Sequence, residues 1–260
     1  MQFLISTITF QLNKLLRVGR IYRNSPYEKL KTLKNKHKGE RCFIVATGPS
    51  LLVEDLDKLK NEITFSMNSI FLSFDEINWR PTYYGIQFPE FYHKYKDCID
   101  DLDVGAKFVG DVVSKQTKLT DDYYIYPLNM LNHDWPHKKY HSKFSDDAFK
   151  VVYSGYTITY SLIQIAVYMG FEKIYLLGVD CNYSNKKSTH FKDYGIVDPL
   201  ASIAGEKMIC AFKEAKKYAD KHHIKIYNAT RGGMLEVFER GDLDNILSEE
   251  TGVYAAKESS

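Results

Sequence analysis

Six segments carry residue types that could bind or turn over a ligand: Thr47-Gly48-Pro49-Ser50, Asn68-Ser69, Gln87, Ser154-Gly155, Gly178-Val179-Asp180 and Asn228. Their residues are mostly small or polar, a chemistry that a sheet core does not need. Gly48 lets backbone approach a ligand closely, and a helix starting after Ser50 would favour an anion such as a phosphate. Gly-Pro-Ser is also an ordinary turn sequence, so the stretch does not decide by itself. Asp180 closes an apolar run, where a carboxylate can hold a ribose, a metal or neighbouring backbone N–H groups. His190 follows in the polar stretch "CNYSNKKSTHF". A histidine there suits general-base work near neutral pH. Neither a Walker lysine nor a Gly-x-Gly-x-x-Gly run occurs, so standard ATPase and dinucleotide sites lose support.

Other clusters carry less. Asp55-Leu56-Asp57, Asp101-Leu102-Asp103 and Asp242-Leu243-Asp244 repeat a metal-binding pattern of sugar-nucleotide enzymes. The first lies in a helical pattern and the others in polar stretches, so all three read as solvated surface. His133, His137 and His141 share a four-residue spacing, but Pro136 interrupts the helix that would align them. His222 and His223 sit at a helix C-terminus, where positive charge is favourable without any function. Cys42, Cys98, Cys181 and Cys210 form no Cys-x-x-Cys pair and read as reduced thiols of a cytoplasmic protein. No metal site and no cofactor is expected.

Alternating elements must position these residues. "RCFIVAT" reads as a buried strand and "LVEDLDKLK" as a helix with Ser50 as its N-cap. "ITFSMN", "TYYGI", "AKFVG" and "YYIYP" are further strands, and "PEFYHKYKDC" a short helix with Pro89 in its first turn. "SGYTITYSLIQIAVYMGF" is an apolar helix ended by Gly170, and "KIYLLGVD" a buried strand. The long amphipathic pattern from Ala201 to His223 precedes the strand "IKIYNA". Repeated β-α-β order implies an α/β fold, doubly wound, with a mostly parallel, Rossmann-like sheet. Ligands in such sheets bind beyond the carboxyl ends of the strands, where the six segments fall. The aperiodic stretch at about 128–153 reads as a small lid insertion within a single domain spanning 41–260.

The chain has 260 residues, 44% of them hydrophobic, enough for one large core. Its net charge of +2 is unevenly spread. Residues 1–41 hold ten Lys/Arg and two Asp/Glu, or +8, leaving −6 for the rest. An acidic body argues against nucleic acid as partner. The basic arm, 1–40, begins with an apolar stretch too short to span a bilayer and lacking a signal-peptide pattern. It suits a helix lying on an anionic membrane surface, with Phe3, Leu4, Ile8, Leu12, Leu15 and Leu16 buried there. A helix docked on the body or on a second subunit fits the same pattern, and a homo-oligomer stays open.

"IVATGPSL", "SMNSIF" and "YSGYTITYSLIQIAVYMGFEKIYLLGVD" together resemble the bacterial lipooligosaccharide sialyltransferases. The pattern also resembles a broader group of 6-hydroxymethylpterin pyrophosphokinase-like proteins from polysaccharide gene clusters, which the tail "YNATRGGMLEVFERGDL" fits better. The first resemblance implies an inverting, metal-independent glycosyltransferase. It would move sialic acid or a related acidic sugar from a CMP donor to a glycan or glycolipid acceptor at the cell surface. On that pattern Thr47, Gly48, Pro49 and Ser50 hold the CMP phosphate and ribose region. Asn68 and Gln87 bind the donor, Ser154 and Gly155 contact the cytosine side, and Asp180 completes the nucleotide site. Tyr183 stabilises the departing phosphate and His190 is the general base. The second resemblance implies an ATP- and magnesium-dependent pyrophosphokinase with Asp180 as a metal ligand. A non-catalytic nucleotide-binding partner in polysaccharide assembly is a third option.

Overall fold

The structure, a computed structural model, describes residues 2–21, 24–130, 140–183, 190–192, 195 and 201–248, with 2–6 and 201–202 as backbone only. His133 and His137 lie outside the described residues, as does much of the loop that leads to His190.

The strands are β1 (Arg41–Val45), β2 (Thr64–Met67), β3 (Tyr83–Ile86), β4 (Ala106–Gly110), β5 (Tyr123–Tyr126), β6 (Leu128–Asn129), β7 (Val152–Tyr153), β8 (Lys173–Leu177), β9 (Lys225–Asn228) and β10 (Glu239–Arg240). The α-helices are α1 (Gln2–Val18), α2 (Val53–Lys58), α3 (Pro89–Lys94), α4 (Lys96–Asp100), α5 (Asp111–Ser114), α6 (Ile158–Met169) and α7 (Ala201–Lys221). Eight strands form one sheet in the order β10-β9-β8-β1-β2-β3-β4-β5, and every pairing in it is parallel. The α/β, doubly wound, Rossmann-like architecture expected from the alternating pattern is the observed one.

Period-two alternation divides the core between the two faces of the sheet. Cys42 and Ile44 of β1 join Ile174 and Leu176 of β8 in a core beneath α6 and α7. Phe43 and Val45 join Tyr175 and Leu177 in the opposite core, which Leu56 of α2 and Phe91 of α3 complete. Burial on both faces explains why these strands read as continuous apolar runs. α6 begins at the cap Thr157, whose side chain accepts from the Thr159 N–H, and ends at Gly170 with φ +94. That left-handed conformation is open to glycine and strained for other residues.

Three expectations change. α2 starts at Val53, with Leu52 as an N-cap that lacks a side-chain hydrogen bond, so Ser50 is not its cap. Asp55 is not solvated surface: it is 1% exposed and paired with Arg231 and with Lys58 at 3.1 Å. The helix from Pro89 is two helices, α3 and α4, parted at Tyr95. Within the stretch expected as a lid, β6 and β7 pair in a second small sheet, and Ala148, Phe149 and Val152 are buried in the core shared with α6.

Candidate functional site

The sheet order reverses between β1 and β8: one wing runs from β1 out to β5, the other from β8 out to β10. Connections leave such a switch point in opposite directions, and a crevice opens beyond the strand ends. The pocket there holds about 460 Å³, counting the part open to solvent. Ala46 to Pro49 follow β1, Met67 ends β2 and Asn68 follows it, and the cap Thr157 and Thr159 open α6. Gly178 to Tyr183 follow β8, and His190 and Met208 close the ring.

Asp180 is the centre of this construction. Its Oδ2 accepts from the Ser50 hydroxyl at 2.8 Å and the Ser50 N–H at 3.3 Å. The anion held by the Gly-Pro-Ser turn is therefore the protein's own carboxylate, which also explains why Ser50 does not cap α2. A Cβ on Gly48 would collide with that carboxylate and stand 2.5 Å from the Gly178 carbonyl oxygen. From the opposite side, the Met234 N–H donates to the Asp180 carbonyl at 2.7 Å, and a Cβ on Gly233 would stand 2.7 Å from the same oxygen. Arg231 and Asp55 tie that second turn to α2. Burial holds the Asp180 carboxyl above its usual range, while the Ser50 hydrogen bonds pull the other way. Next to it, burial pushes the Cys181 thiol up to about 12, so it is no nucleophile.

His190 is placed by its neighbours. The Phe191 N–H donates to the Thr47 carbonyl at 3.0 Å, and Lys192 donates to the Leu72 carbonyl at 2.7 Å and pairs with Glu76. Those anchors draw the segment across the ends of β1 and β2. Tyr183 lines the same pocket, with its hydroxyl 3.6 Å from the Met208 sulfur. Asn68 (φ +47) and Cys181 (φ +50) also line it, both in the left-handed region. Such strain in non-glycine residues gathers at functional sites.

Of the residues expected at the site, Thr47, Gly48, Pro49, Asn68, Asp180, Tyr183 and His190 line one pocket, and Ser50 reaches it through Asp180. Gln87, Ser154 and Gly155 are not among its lining. The Gln87 side-chain Oε1 accepts from the Ser161 hydroxyl at 2.8 Å and the Tyr126 hydroxyl at 3.1 Å, bridging the strands to α6. Ser154 is buried, and a Cβ on Gly155 would collide with the Tyr160 ring, a packing reason for glycine there. Asn228 is buried too and ties its own turn through Leu235 and Thr230. Sequence reasoning missed Thr157 and Thr159. Their signal was a threonine cap immediately before an apolar helix.

The family model for 6-hydroxymethylpterin diphosphokinase MptE-like proteins matches residues 18–186. The chain belongs to this MptE-like family. The MptE-like match spans every pocket-lining residue except His190 and Met208. No curated protein matches the sequence. Among solved structures, the MAf glycosyltransferase from Magnetospirillum magneticum AMB-1 shares the fold of this MptE-like chain, with a TM-score of 0.50 and 16% identity. The likeness covers 84% of this chain and 38% of that one, so the chain spans well under half of that protein's length.

Proposed function

We propose that this MptE-like protein is a cytoplasmic glycosyltransferase. It would transfer sialic acid or a related acidic sugar from a CMP donor to a glycan or glycolipid destined for the cell surface. The observation that carries the proposal is the pocket at the switch point, which brings a carboxylate, the start of a twelve-residue helix, a tyrosine and a histidine to one crevice. In this reading Asp180 accepts from the ribose hydroxyls, as acidic residues at strand ends do. The donor phosphate lies toward the start of α6, between Thr157, Thr159 and Asn68, where helix N–H groups favour an anion. His190 takes the proton of the acceptor hydroxyl, whose oxygen attacks the anomeric carbon from the face opposite CMP. The bond from that carbon to the phosphate oxygen breaks, its electron pair leaves with CMP, and the configuration inverts. Tyr183 donates to the departing phosphate, which lowers the barrier if the hydrogen bond is stronger in the transition state.

The family match supports a second reading, a pterin diphosphokinase using ATP and magnesium. Asp180 is the one carboxylate lining the pocket among the described residues. It would serve as the ion's protein ligand, and phosphate oxygens and water would complete the shell. The ion would polarise the phosphate being transferred. Thermal shift separates the readings, because a ligand at 100 times its dissociation constant stabilises by about 2.7 kcal/mol. Stabilisation by CMP, but not by UDP, GDP or ATP with magnesium, is expected. A response to ATP with magnesium alone would move the assignment to the diphosphokinase.

A further inference from the structure

Nine large apolar side chains are exposed among the described residues, and five of them (Ile8, Leu12, Leu15, Val18 and Ile21) fall within fourteen consecutive positions at α1. Ile8, Leu12 and Leu15 follow the four-then-three spacing of one helix face, and Val18 continues it. The opposite face is the docked one. Arg17 is 5% exposed, donates to the carbonyls of Phe149 at 2.9 Å and Lys150 at 2.7 Å, and lies over the Tyr27 ring at 4.5 Å. Tyr27 in turn donates to Asp111 at 2.9 Å. The helix is thus fastened to the body by a cation and leaves its most apolar side in water, the reverse of a packing helix. No helix among the described residues is long and apolar enough to cross a membrane.

We propose that α1 is an interfacial helix whose Ile8–Leu12–Leu15–Val18 face enters the surface layer of an anionic lipid bilayer. Charge selects lipid as the occupant. The segment 1–41 carries +8, and the docked end of the helix adjoins Lys31, whose ammonium stands 4.3 Å over the Phe149 ring. A second copy docking on this face would bring its own +8 segment against the first, whereas anionic headgroups neutralise it. The inference does not depend on the donor assigned above.

Flotation of the full chain with vesicles of equimolar phosphatidylglycerol and phosphatidylcholine tests it, with pure phosphatidylcholine as reference. Wild type is expected to float with the anionic vesicles and to be released by salt. Each cation near such a surface favours binding about fivefold, so neutralising two with Lys14→Gln and Arg20→Gln should weaken it by roughly thirtyfold. Leu12→Asp with Leu15→Asp should abolish flotation while leaving the melting temperature unchanged, because both side chains are already in water. Wild type that fails to float, or a Leu12/Leu15 variant that floats as well as wild type, overturns the proposal. So does a wild-type dimer that this variant dissociates, because the occupant is then a second copy.

Discussion

Gly48→Ala tests whether the pocket floor is built as tightly as the distances state. A Cβ at this position would stand 2.5 Å from the Gly178 carbonyl oxygen, and ordinary contact begins near 3.4 Å. The carbonyl must therefore retreat by about 0.9 Å. That oxygen accepts from the Gly48 N–H at 3.0 Å, the link that carries the β1–β8 pairing one step past the strands. Stretched by the same amount it exceeds hydrogen-bond range. Losing one such bond costs about 1 kcal/mol net, and overpacking adds roughly 1–3 kcal/mol. A total of about 3 kcal/mol lowers the melting temperature of a chain this size by roughly 6–12 °C. Gly232→Ala is the matched control. A Cβ there meets nothing within 4 Å, but φ is +66, so it reports backbone strain alone, about 1 kcal/mol. Urea unfolding gives both values, and calorimetry with CMP reports the pocket. If Gly48→Ala costs no more than the control, or binds CMP like wild type, the close approach around Asp180 is not what shapes the site.

Asp180→Asn should gain stability on wild type as pH rises from about 4 to 7. Burial raises the Asp180 carboxyl pKa, so its contribution is full below the unfolded value and lost as pH climbs through the folded one. A wild-type-to-variant difference that stays flat over that range in urea titrations would contradict the burial argument. His190→Ala should lose about 10²–10⁴-fold in turnover while CMP affinity holds, as expected of a base acting on the acceptor. Lost CMP binding with normal turnover of the bound fraction would make His190 a donor contact instead.

The sheet was legible because β1 and β8 are buried on both faces, and their apolar runs have no other use. The strand-end rule then gathered Thr47, Gly48, Asn68 and Asp180 before any geometry was known. What escaped depended on distant partners. Asp55 looks solvated in its own helix because Arg231, which buries it, lies 176 residues away. Ser50 looks like a helix cap because nothing nearby in sequence announces that Asp180 takes its hydroxyl. Ser154-Gly155 stand just before the residues that line the crevice: α6 starts three residues after Gly155, and its cap Thr157 and first-turn Thr159 line the pocket.

The sheet order has a consequence for how the molecule comes into being. Strands β1 to β5 emerge during synthesis in the order in which they pair, so that wing can assemble from neighbours alone. The other edge of β1 has no partner until residue 173 leaves the ribosome, more than 120 residues after β1 itself. Through that interval the chain carries an open, apolar parallel edge, the kind of surface that recruits other chains. Closing the seam brings together segments far apart in sequence, a slow step by its contact order. The crevice forms at that same seam, and the turn holding Gly233 and Met234 braces Asp180 from behind it. A ligand of the crevice can therefore recognise only chains in which the seam has closed, and under the proposed reading CMP present during refolding should raise the yield of the final state without hastening the first wing.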